Sequence, residues 1–199
     1  MSTDRLPFRQ HGVTMVELVM FILIVSVAVA GVLLVMNVTS KSSADPMIRK
    51  QTLAVAESLL EEIELQSFTY CDPDDPAAAT ATGTGSCAVV QGLAPTAAMS
   101  YTDENGATVS LDAETRYAEP RFDNVGDYNG FTMSGIRSLD GTAIGGLENY
   151  NATVTVSQEA RNGIAAADSL RIDVTVTAPG NETVTLTGYR FRYAPRAVP

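Results

Sequence analysis

Residues 12–36, GVTMVELVMFILIVSVAVAGVLLVM, form an apolar run close to the start of the chain. From Leu18 to Met36 the run holds 19 residues without a charge. As an α-helix this segment extends ~28 Å, which nearly matches the ~30 Å hydrocarbon core of a bilayer. The alternative is a buried helix of a soluble protein, but a helix that is apolar on every face needs a much larger protein around it. The run therefore predicts a membrane-spanning helix.

The residues that flank this run contain one unusual charge and indicate an orientation. The polar stretch MSTDRLPFRQHG ends at Gly12, and Glu17 lies just inside the apolar run. A carboxylate costs ~3 kcal/mol near the bilayer centre and less toward its edge, so Glu17 either has a specific function or marks the headgroup boundary. Arg5 and Arg9 favour a cytoplasmic N-terminus, although Lys41 on the far side weakens the asymmetry.

The spacing of Gly12, Val13 and Glu17 resembles the class III signal of type IV prepilins and pseudopilins. The resemblance implies that prepilin peptidase cleaves between Gly12 and Val13 on the cytoplasmic side, that Val13 is N-methylated, and that the apolar helix stays on the mature chain. Glu17 could then pair with the Val13 ammonium of a neighbouring subunit, so that two buried charges compensate each other. Val13 replaces the usual Phe and no proline interrupts the apolar helix, which suggests a minor subunit or a pseudopilin.

A second helix is predicted after a polar interruption. The stretch NVTSKSSADP competes with helical hydrogen bonding, and Asp45 followed by Pro46 is typical of an N-cap and a first helical residue. The next residues, PMIRKQTLAVAESLLEEIELQS, have the periodicity of an amphipathic helix with an apolar stripe on a sheet and glutamates on the outer side. The stripe comprises Ile48, Val55, Leu59, Leu60 and Ile63, and the glutamates are Glu57, Glu61, Glu62 and Glu64.

The stretch SADPMIRKQTLAVAESLLEEI and the N-terminal signal together resemble the D-type minor pilins of the mannose-sensitive haemagglutinin (MSHA) pilus. The resemblance is strongest over residues 12–66 and implies an α+β fold. In that fold a long N-terminal hydrophobic helix, transmembrane in one half and amphipathic in the other, packs on a C-terminal antiparallel β-sheet. The expected organisation is a leader peptide (1–12), a transmembrane and assembly helix (13–40), an amphipathic helix (41–68) and a β-rich periplasmic head domain (69–199).

The C-terminal half predicts a three-stranded antiparallel meander. The segments YNATVTVSQ, SLRIDVTVTA and ETVTLTGYRFRY alternate with a period of two, and APGNE between the last two supplies turn residues. Earlier strands at GFTMSGI and ATVSLD are predicted to extend this sheet.

Cys71 and Cys87 enclose the stretch DPDDPAAATATGTGS, whose Pro, Gly, Ala and Thr content predicts a mobile loop. Two cysteines in an exported domain favour a disulfide over two free thiols. We expect no metal at these cysteines, because the one histidine, His11, lies in the predicted leader and the chain has no further cysteine.

The segment RFDNVGDYNGF is rich in side-chain oxygens, with Asp123, Asn124, Asp127 and Asn129 close together. Such loops can hold Ca²⁺, but the spacing does not match the EF-hand series and lacks its terminal glutamate. Asp and Asn also hydrogen-bond their own loop backbone, which favours a capped turn. Asp123 and Asp127 are therefore weak metal candidates, and we expect neither a metal nor another cofactor.

The charge and the histidine content argue against whole classes of function. The formal charge of −10 becomes −11 without residues 1–12, and such a surface repels nucleic acid, so we expect no nucleic-acid partner. Alternating arginines at Arg190, Arg192 and Arg196 more often mark the solvated face of a strand than a binding patch. A mature chain without histidine has no Ser-His or Cys-His mechanism, and we expect neither catalytic residues nor an enzyme.

The expected function is that of a minor pilin of an MSHA-like type IV pilus, acting in filament assembly or initiation through helix packing. Its expected partners are other pilin subunits, prepilin peptidase, the inner-membrane assembly platform and the inner membrane itself. The chain would cross the inner membrane once, with a periplasmic C-terminal domain, before entering the pilus. A minor pseudopilin of type II secretion is the alternative. A membrane-anchored periplasmic enzyme or binding domain is a third hypothesis, which no nucleophile–base pair or phosphate loop supports.

Overall fold

The computed structural model describes residues 12–102 and 106–198. The chain divides at Pro46 into two compact units, residues 1–46 and residues 47–199. It contains a long N-terminal apolar helix and, in its C-terminal region, a four-stranded antiparallel sheet. The predicted α+β fold class is therefore confirmed.

Helix α1 runs from Met15 to Glu64 without the break that the sequence predicts. Pro46 lies inside the helix, so the prediction of an N-cap at Asp45 is wrong. Proline removes one helical hydrogen bond at a cost of ~3 kcal/mol, and each short polar residue costs less than ~1 kcal/mol. Once a turn has formed, each further residue adds a hydrogen bond, so a helix nucleated on both sides can continue through a weak segment.

The first part of α1 is the apolar segment. Residues Met15–Met36 contain an 18-residue window with a mean hydropathy of 3.1, and none of that window is buried within the described structure. By length and composition it can cross a membrane once, as the sequence predicts.

Within the second unit, the last part of α1 packs its apolar stripe into the core. Ala56, Leu59 and Ile63 are buried together with residues of the sheet, and the other stripe residues are half-buried against them. Thr52 is also fully buried, and its hydroxyl donates a hydrogen bond of 2.8 Å to the Ile48 carbonyl. The predicted amphipathic helix is therefore present.

Within residues 12–102 and 106–198, six strands follow the helix in chain order. They are β1 (Met99–Thr102), β2 (Thr108–Leu111), β3 (Thr132–Ser134), β4 (Asn151–Gln158), β5 (Ser169–Thr177) and β6 (Thr183–Phe191). The four-stranded sheet has the order β3-β4-β5-β6, and all its pairs are antiparallel. The predicted meander and its extension at GFTMSGI are therefore correct.

The predicted strand at ATVSLD forms but does not extend this sheet. As β2 it pairs, among the described strands, with β1 in a separate two-stranded ribbon that has Met99 opposite Leu111. β1 and β2 follow each other closely in the sequence, and strands that do so commonly pair antiparallel with each other.

The alternation along the strands separates an apolar inner face from a hydroxyl-rich outer face. On β5, Ile172, Val174 and Val176 are fully buried. The intervening residues point outward, where the Thr175 and Thr185 hydroxyl oxygens lie 2.9 Å apart. This period of two is the geometric signature of a sheet covered on one side.

Gly188 of β6 faces side chains from the last turns of α1. A Cβ atom added at this glycine would lie 2.2 Å from Glu64 Oε1 and 2.9 Å from Leu60 Cδ1. A side chain at this position of β6 would therefore displace the ends of the Glu64 and Leu60 side chains.

Glu62 does not lie on the outer side of the helix as predicted. Its carboxylate accepts two hydrogen bonds of 2.7 Å from Arg116, whose side chain is only 6% exposed. Tyr128 donates a third hydrogen bond to Glu62, at 2.8 Å. The periodicity of α1 places Glu62 at the border of the apolar stripe. Arg116, which is distant in the sequence, compensates the charge of the Glu62 carboxylate and so permits its burial.

Candidate functional site

The N-terminal segment begins with a helix cap. Helix α1 starts at Met15, and the Thr14 hydroxyl accepts a hydrogen bond from the Glu17 backbone N–H at 3.3 Å. Gly12 and Val13 precede the helix and are exposed. Glu17 consequently lies in the first helical turn, where the helix dipole favours a negative charge.

The capping role of Thr14 is absent from the predictions above, although the sequence contains a signal for it. Thr14 and Glu17 have the Thr-x-x-Glu spacing that commonly begins a helix. The cap leaves Val13 outside the hydrogen-bonded helix and fixes the backbone of the first turn, so the predicted cleavage point and Glu17 are one turn apart.

Glu17 is the one charged residue between Gly12 and Met36. Ser26, which is polar and near the middle of this segment, donates its hydroxyl to the Ile22 carbonyl at 2.7 Å. That bond satisfies the hydroxyl within the helix and makes Ser26 compatible with an apolar surrounding. The presence of the Glu17 carboxylate in such an apolar surrounding still requires an explanation.

The predicted disulfide between Cys71 and Cys87 is present. The loop that it closes is not the mobile segment that its composition predicts. Ala78 and Ala81 pack beside Cys71, and both carboxylate oxygens of Asp75 accept hydrogen bonds from backbone N–H groups of the loop and its return segment. Small residues make a compact loop as readily as a flexible one when a buried carboxylate supplies acceptors for its backbone.

In the oxygen-rich segment, Asp127 belongs to a capped turn. Asn124 is the N-cap of a short 3-10 helix, Val125–Tyr128, and forms a capping box with Asp127. Asp127 accepts hydrogen bonds from the backbone N–H groups of Asn124 and Asp123 and from the Gln91 side chain, at 2.7, 3.2 and 2.7 Å. The burial of this carboxyl raises its pKa to about 6 against the effect of these bonds.

Asp123 instead joins a cluster of four carboxylates that the sequence does not reveal. One ligand oxygen from each of Asp72, Asp74, Glu114 and Asp123 can be chosen so that all lie within 4.8 Å of one another. Asp72 and Asp74 come from the disulfide loop, whereas the other two come from separate later segments. Asp127 is not among the four.

The hydrogen bonds of this carboxylate cluster satisfy only some of its oxygens. The two oxygens of Asp72 accept from the Asp74 backbone N–H at 2.8 Å and from the Thr96 hydroxyl. Glu114 Oε2 accepts from the Thr96 backbone N–H at 2.9 Å. Asp123 Oδ1 is buried and has no hydrogen-bond partner in the part of the chain that the structure describes.

The environment of the cluster disfavours negative charge. Burial, with a contribution from the nearby Asp127, raises the pKa of Glu114 to about 9. Burial, and then the charges of Asp72 and Asp127, raise the pKa of Asp123 to about 8. None of the four cluster carboxylates forms an ion pair with a described arginine or lysine.

A groove of about 450 Å³ runs along the last part of α1. Its lining is largely apolar and includes Val55, Leu59 and Ile144. Glu62 and Arg116 also line it, but they form an ion pair with each other. The groove is therefore better suited to an apolar contact than to acid–base chemistry.

The C-terminal arginines do not form the solvated strand face that the sequence predicts. The Arg192 side chain is 9% exposed, stacks over Phe68 at 4.2 Å and pairs with Asp168 at 3.5 Å. Arg190 donates to the Gln66 carbonyl at 3.0 Å, and Arg196 donates to a loop carbonyl. A planar guanidinium can pack on aromatic rings, which alternation alone does not predict.

Comparison with known proteins adds no identification. No protein-family model, curated protein or solved structure matches this chain.

Proposed function

We propose that this chain is a membrane-anchored subunit of a type IV pilin-like filament, a minor pilin of the MSHA type, and not an enzyme. One observation carries the proposal: an apolar helix of membrane-spanning length has a single acid, Glu17, five positions after Gly12. A carboxylate at the edge of an apolar helix is costly in a membrane, so its presence favours a specific function over simple anchoring.

Cleavage after Gly12 would give that carboxylate a function. It would create an ammonium group at Val13, next to the Thr14 cap and one turn from Glu17. In a bundle of staggered helices, the Glu17 carboxylate of one subunit would meet the Val13 ammonium of another. Two opposite charges that are paired in a low-dielectric bundle are tolerated where one alone is not.

The second unit has properties that suit export. Its disulfide is stable in an oxidising compartment such as the periplasm, and the last part of α1 covers one face of its sheet. These features support a single-pass inner-membrane protein with a periplasmic head that later enters the filament. The partners under this proposal are other pilin subunits, prepilin peptidase and the inner-membrane assembly platform.

A minor pseudopilin of type II secretion would have the same N-terminal features and is the second candidate. Disruption of the gene distinguishes the two, because loss of a minor pilin reduces surface pili whereas loss of a pseudopilin reduces protein secretion.

The processing step is tested with Gly12→Val. A Cβ atom added at residue 12 meets no atom of the described residues within 4 Å, so we expect the substitution to act through recognition by the peptidase rather than through the fold. Immunoblots should show an uncleaved precursor, whereas Gly12→Ala should still be cleaved. Mass spectrometry of wild-type filaments should find an N-terminal peptide that starts at methylated Val13. Cleavage of the Gly12→Val chain at the wild-type rate would refute the predicted cleavage between residues 12 and 13.

The assembly step is tested with Glu17→Gln. The variant should insert into the membrane at least as well as wild type, because a charge has been removed. The amount of variant protein in sheared filaments, divided by the amount in membranes, should nevertheless fall below the wild-type ratio. Glu61→Gln is the matched control, because Glu61 is an exposed acid in the other part of α1. A tip subunit has no neighbour ahead of it, so capture of partner pilins in detergent is measured as well. If the variant behaves like wild type in both assays, Glu17 does not pair with Val13 and only marks the headgroup boundary.

A further inference from the structure

We propose that the groove along the last part of α1 receives the side chains of Leu65 and Tyr193 from a second copy of this chain. Both surfaces belong to the second unit: the groove lies beside α1, and Leu65 and Tyr193 line one small pocket at the end of that helix. The inference names a subunit contact for the filament function proposed above, and it rests on that proposal in one respect, the parallel arrangement of neighbouring subunits.

The groove is an exposed apolar surface. Leu139 and Ile144 form part of its lining and are themselves exposed, although both side chains are aliphatic. A second pocket of about 290 Å³ adjoins the groove and shares Val55 and Ile144 with it, so the apolar surface continues beyond the groove. Exposed apolar surface that is continuous in this way commonly marks a site of contact with another molecule.

Leu65 and Tyr193 form an exposed patch elsewhere on the same unit. Leu65 is 84% exposed, more than any other large apolar side chain that the structure describes in this unit, and Tyr193 is 74% exposed. The two residues line the same pocket, so they are neighbours. The Leu65 N–H donates to the Glu61 carbonyl at 3.1 Å, which holds the leucine on the last turn of α1. Burial of such side chains is favourable, and tyrosine is among the residues that contribute most at protein interfaces.

The charges beside the two surfaces are complementary. Arg137 lines the groove and is exposed, and its guanidinium donates to the Gly141 carbonyl at 3.0 Å but pairs with no acid among the described residues. Glu64 precedes Leu65 and forms no ion pair with a described arginine or lysine. Entry of Leu65 into the groove of another copy brings Glu64 toward Arg137. Opposite charges placed in this way favour the correct partner and fix its register.

A patch and a groove at different places on one chain make a heterologous contact. Each copy then offers its groove to one neighbour and its patch to another, so the contact can extend into an open row of subunits. On α1 the groove is lined on both sides of Ser58, which lies seven residues before Leu65. Seven helical residues span ~10 Å, so two parallel copies make the contact when one is displaced by ~10 Å along the helix. A bundle of staggered helices supplies a displacement of this kind.

The first test identifies the occupant of the groove by photo-crosslinking in cells. The photoreactive amino acid benzoylphenylalanine replaces Leu65 in the full-length chain. Irradiation should give a product that contains two chains, in which mass spectrometry finds residue 65 joined to a peptide of the groove, 54–62 or 133–147. The control carries the same amino acid at Val90, an exposed apolar residue that lines neither surface. The control should give no such product.

The second test measures self-association of the purified full-length chain in a mild detergent by sedimentation. Leu65→Ser in the patch and Ile144→Ser in the groove should each weaken association at least about tenfold, because an apolar side chain is lost from the contact. Arg137→Gln should weaken it less and reduce its dependence on salt. Val90→Ser is the matched control and should stay within about twofold of wild type, since it lies outside the contact.

An equimolar mixture of two variants tests whether the contact is heterologous. Leu65→Ser keeps an intact groove, and Ile144→Ser keeps an intact patch. The mixture should therefore form pairs at wild-type affinity, although neither variant associates in this way alone. An unfolded variant could not restore association, so recovery in the mixture also verifies that both variants fold.

Three results would overturn the proposal. The first is crosslinking of residue 65 only to a different protein or to none. The second is association that both serine variants retain at wild-type strength, which would place the contact elsewhere, for example in the apolar helix. The third is a mixture that fails to form pairs. None of these results depends on cleavage after Gly12 or on Glu17, so failure of this contact is distinguishable from failure of the proposed function.

Discussion

Replacing Arg116 with methionine should destabilise the second unit by about 3 kcal/mol. The guanidinium of Arg116 is 6% exposed and donates two hydrogen bonds of 2.7 Å to Glu62. Methionine retains much of the apolar volume of the arginine stem, so the substitution removes charge and hydrogen bonds with little loss of packing. Glu62 then keeps the Tyr128 hydroxyl as a donor but loses its counter-charge.

The magnitude follows from the burial of the two partners. Leaving one member of a buried ion pair without its partner costs ~3–5 kcal/mol. Glu62 is 17% exposed, so water partly solvates the orphaned carboxylate and the lower end of that range applies. The double variant Arg116→Met with Glu62→Leu should recover at least half of the loss, because it removes both charges.

Arg49→Met is the matched control. Arg49 pairs with Glu182 at 3.9 Å, and the two side chains are 75% and 42% exposed, so this substitution should cost less than about 1 kcal/mol. Urea unfolding of the full chain in detergent gives the free energies of unfolding. The near-ultraviolet circular dichroism of tyrosine is the signal, since the chain has 7 tyrosines and no tryptophan. An Arg116→Met variant no less stable than Arg49→Met would refute the reasoning.

Three further perturbations test other parts of the second unit. Replacing Cys71 and Cys87 with serine should lower the free energy of unfolding by about 3 kcal/mol, because the unfolded loop regains its freedom; an equal loss on reducing the wild-type protein would verify this. Gly126→Ala should cost ~1–3 kcal/mol in urea unfolding, because its Cβ would lie 2.2 Å from a backbone carbonyl oxygen; wild-type stability would contradict this close approach. In EDTA, the free energy of unfolding should fall as the pH rises above about 4.5. The fall should continue through the folded-state pKa values of about 8 for Asp123 and about 9 for Glu114. The reason is that the folded chain binds the protons of these two carboxyls more tightly than the unfolded chain does. A urea midpoint that rises over this pH interval would exclude that linkage.

Features that depend on local periodicity could be predicted from the sequence. The alternation in β4, β5 and β6 identifies their inner face, and the stripe that includes Leu59 and Ile63 identifies the buried side of α1. Each pattern reports directly which side of an element is buried. The disulfide between the two cysteines could also be predicted, because it follows from the expectation of an oxidising compartment.

Features that depend on distant partners could not be predicted in this way. The border position of Glu62 on the helix contains no information about Arg116, and Arg192 has the same alternation whether it faces water or the ring of Phe68. The continuity of α1 through Pro46 also escapes a local pattern, because the penalty at one residue contains no information about the cooperativity of a long helix.

The carboxylate cluster is the clearest case. The sequence pairs Asp123 with Asp127, its neighbour in the chain, but the fold uses Asp127 for a capping box and places Asp123 beside residues of the disulfide loop. Evenly spaced acidic residues can be recognised in a sequence, whereas carboxylates from three segments become neighbours only after the chain has folded.

The close approach at Gly188 also limits how this sequence can change over evolutionary time. Any side chain at residue 188 must claim volume that Leu60 and Glu64 now occupy. An alanine there would push aside the ends of the Leu60 and Glu64 side chains, and it would fit best alongside a smaller residue at 60 or a shorter one at 64. These three positions should therefore vary together among related chains, and a paired change at 188 and 60 would mark relatives that keep the same distance between helix and sheet.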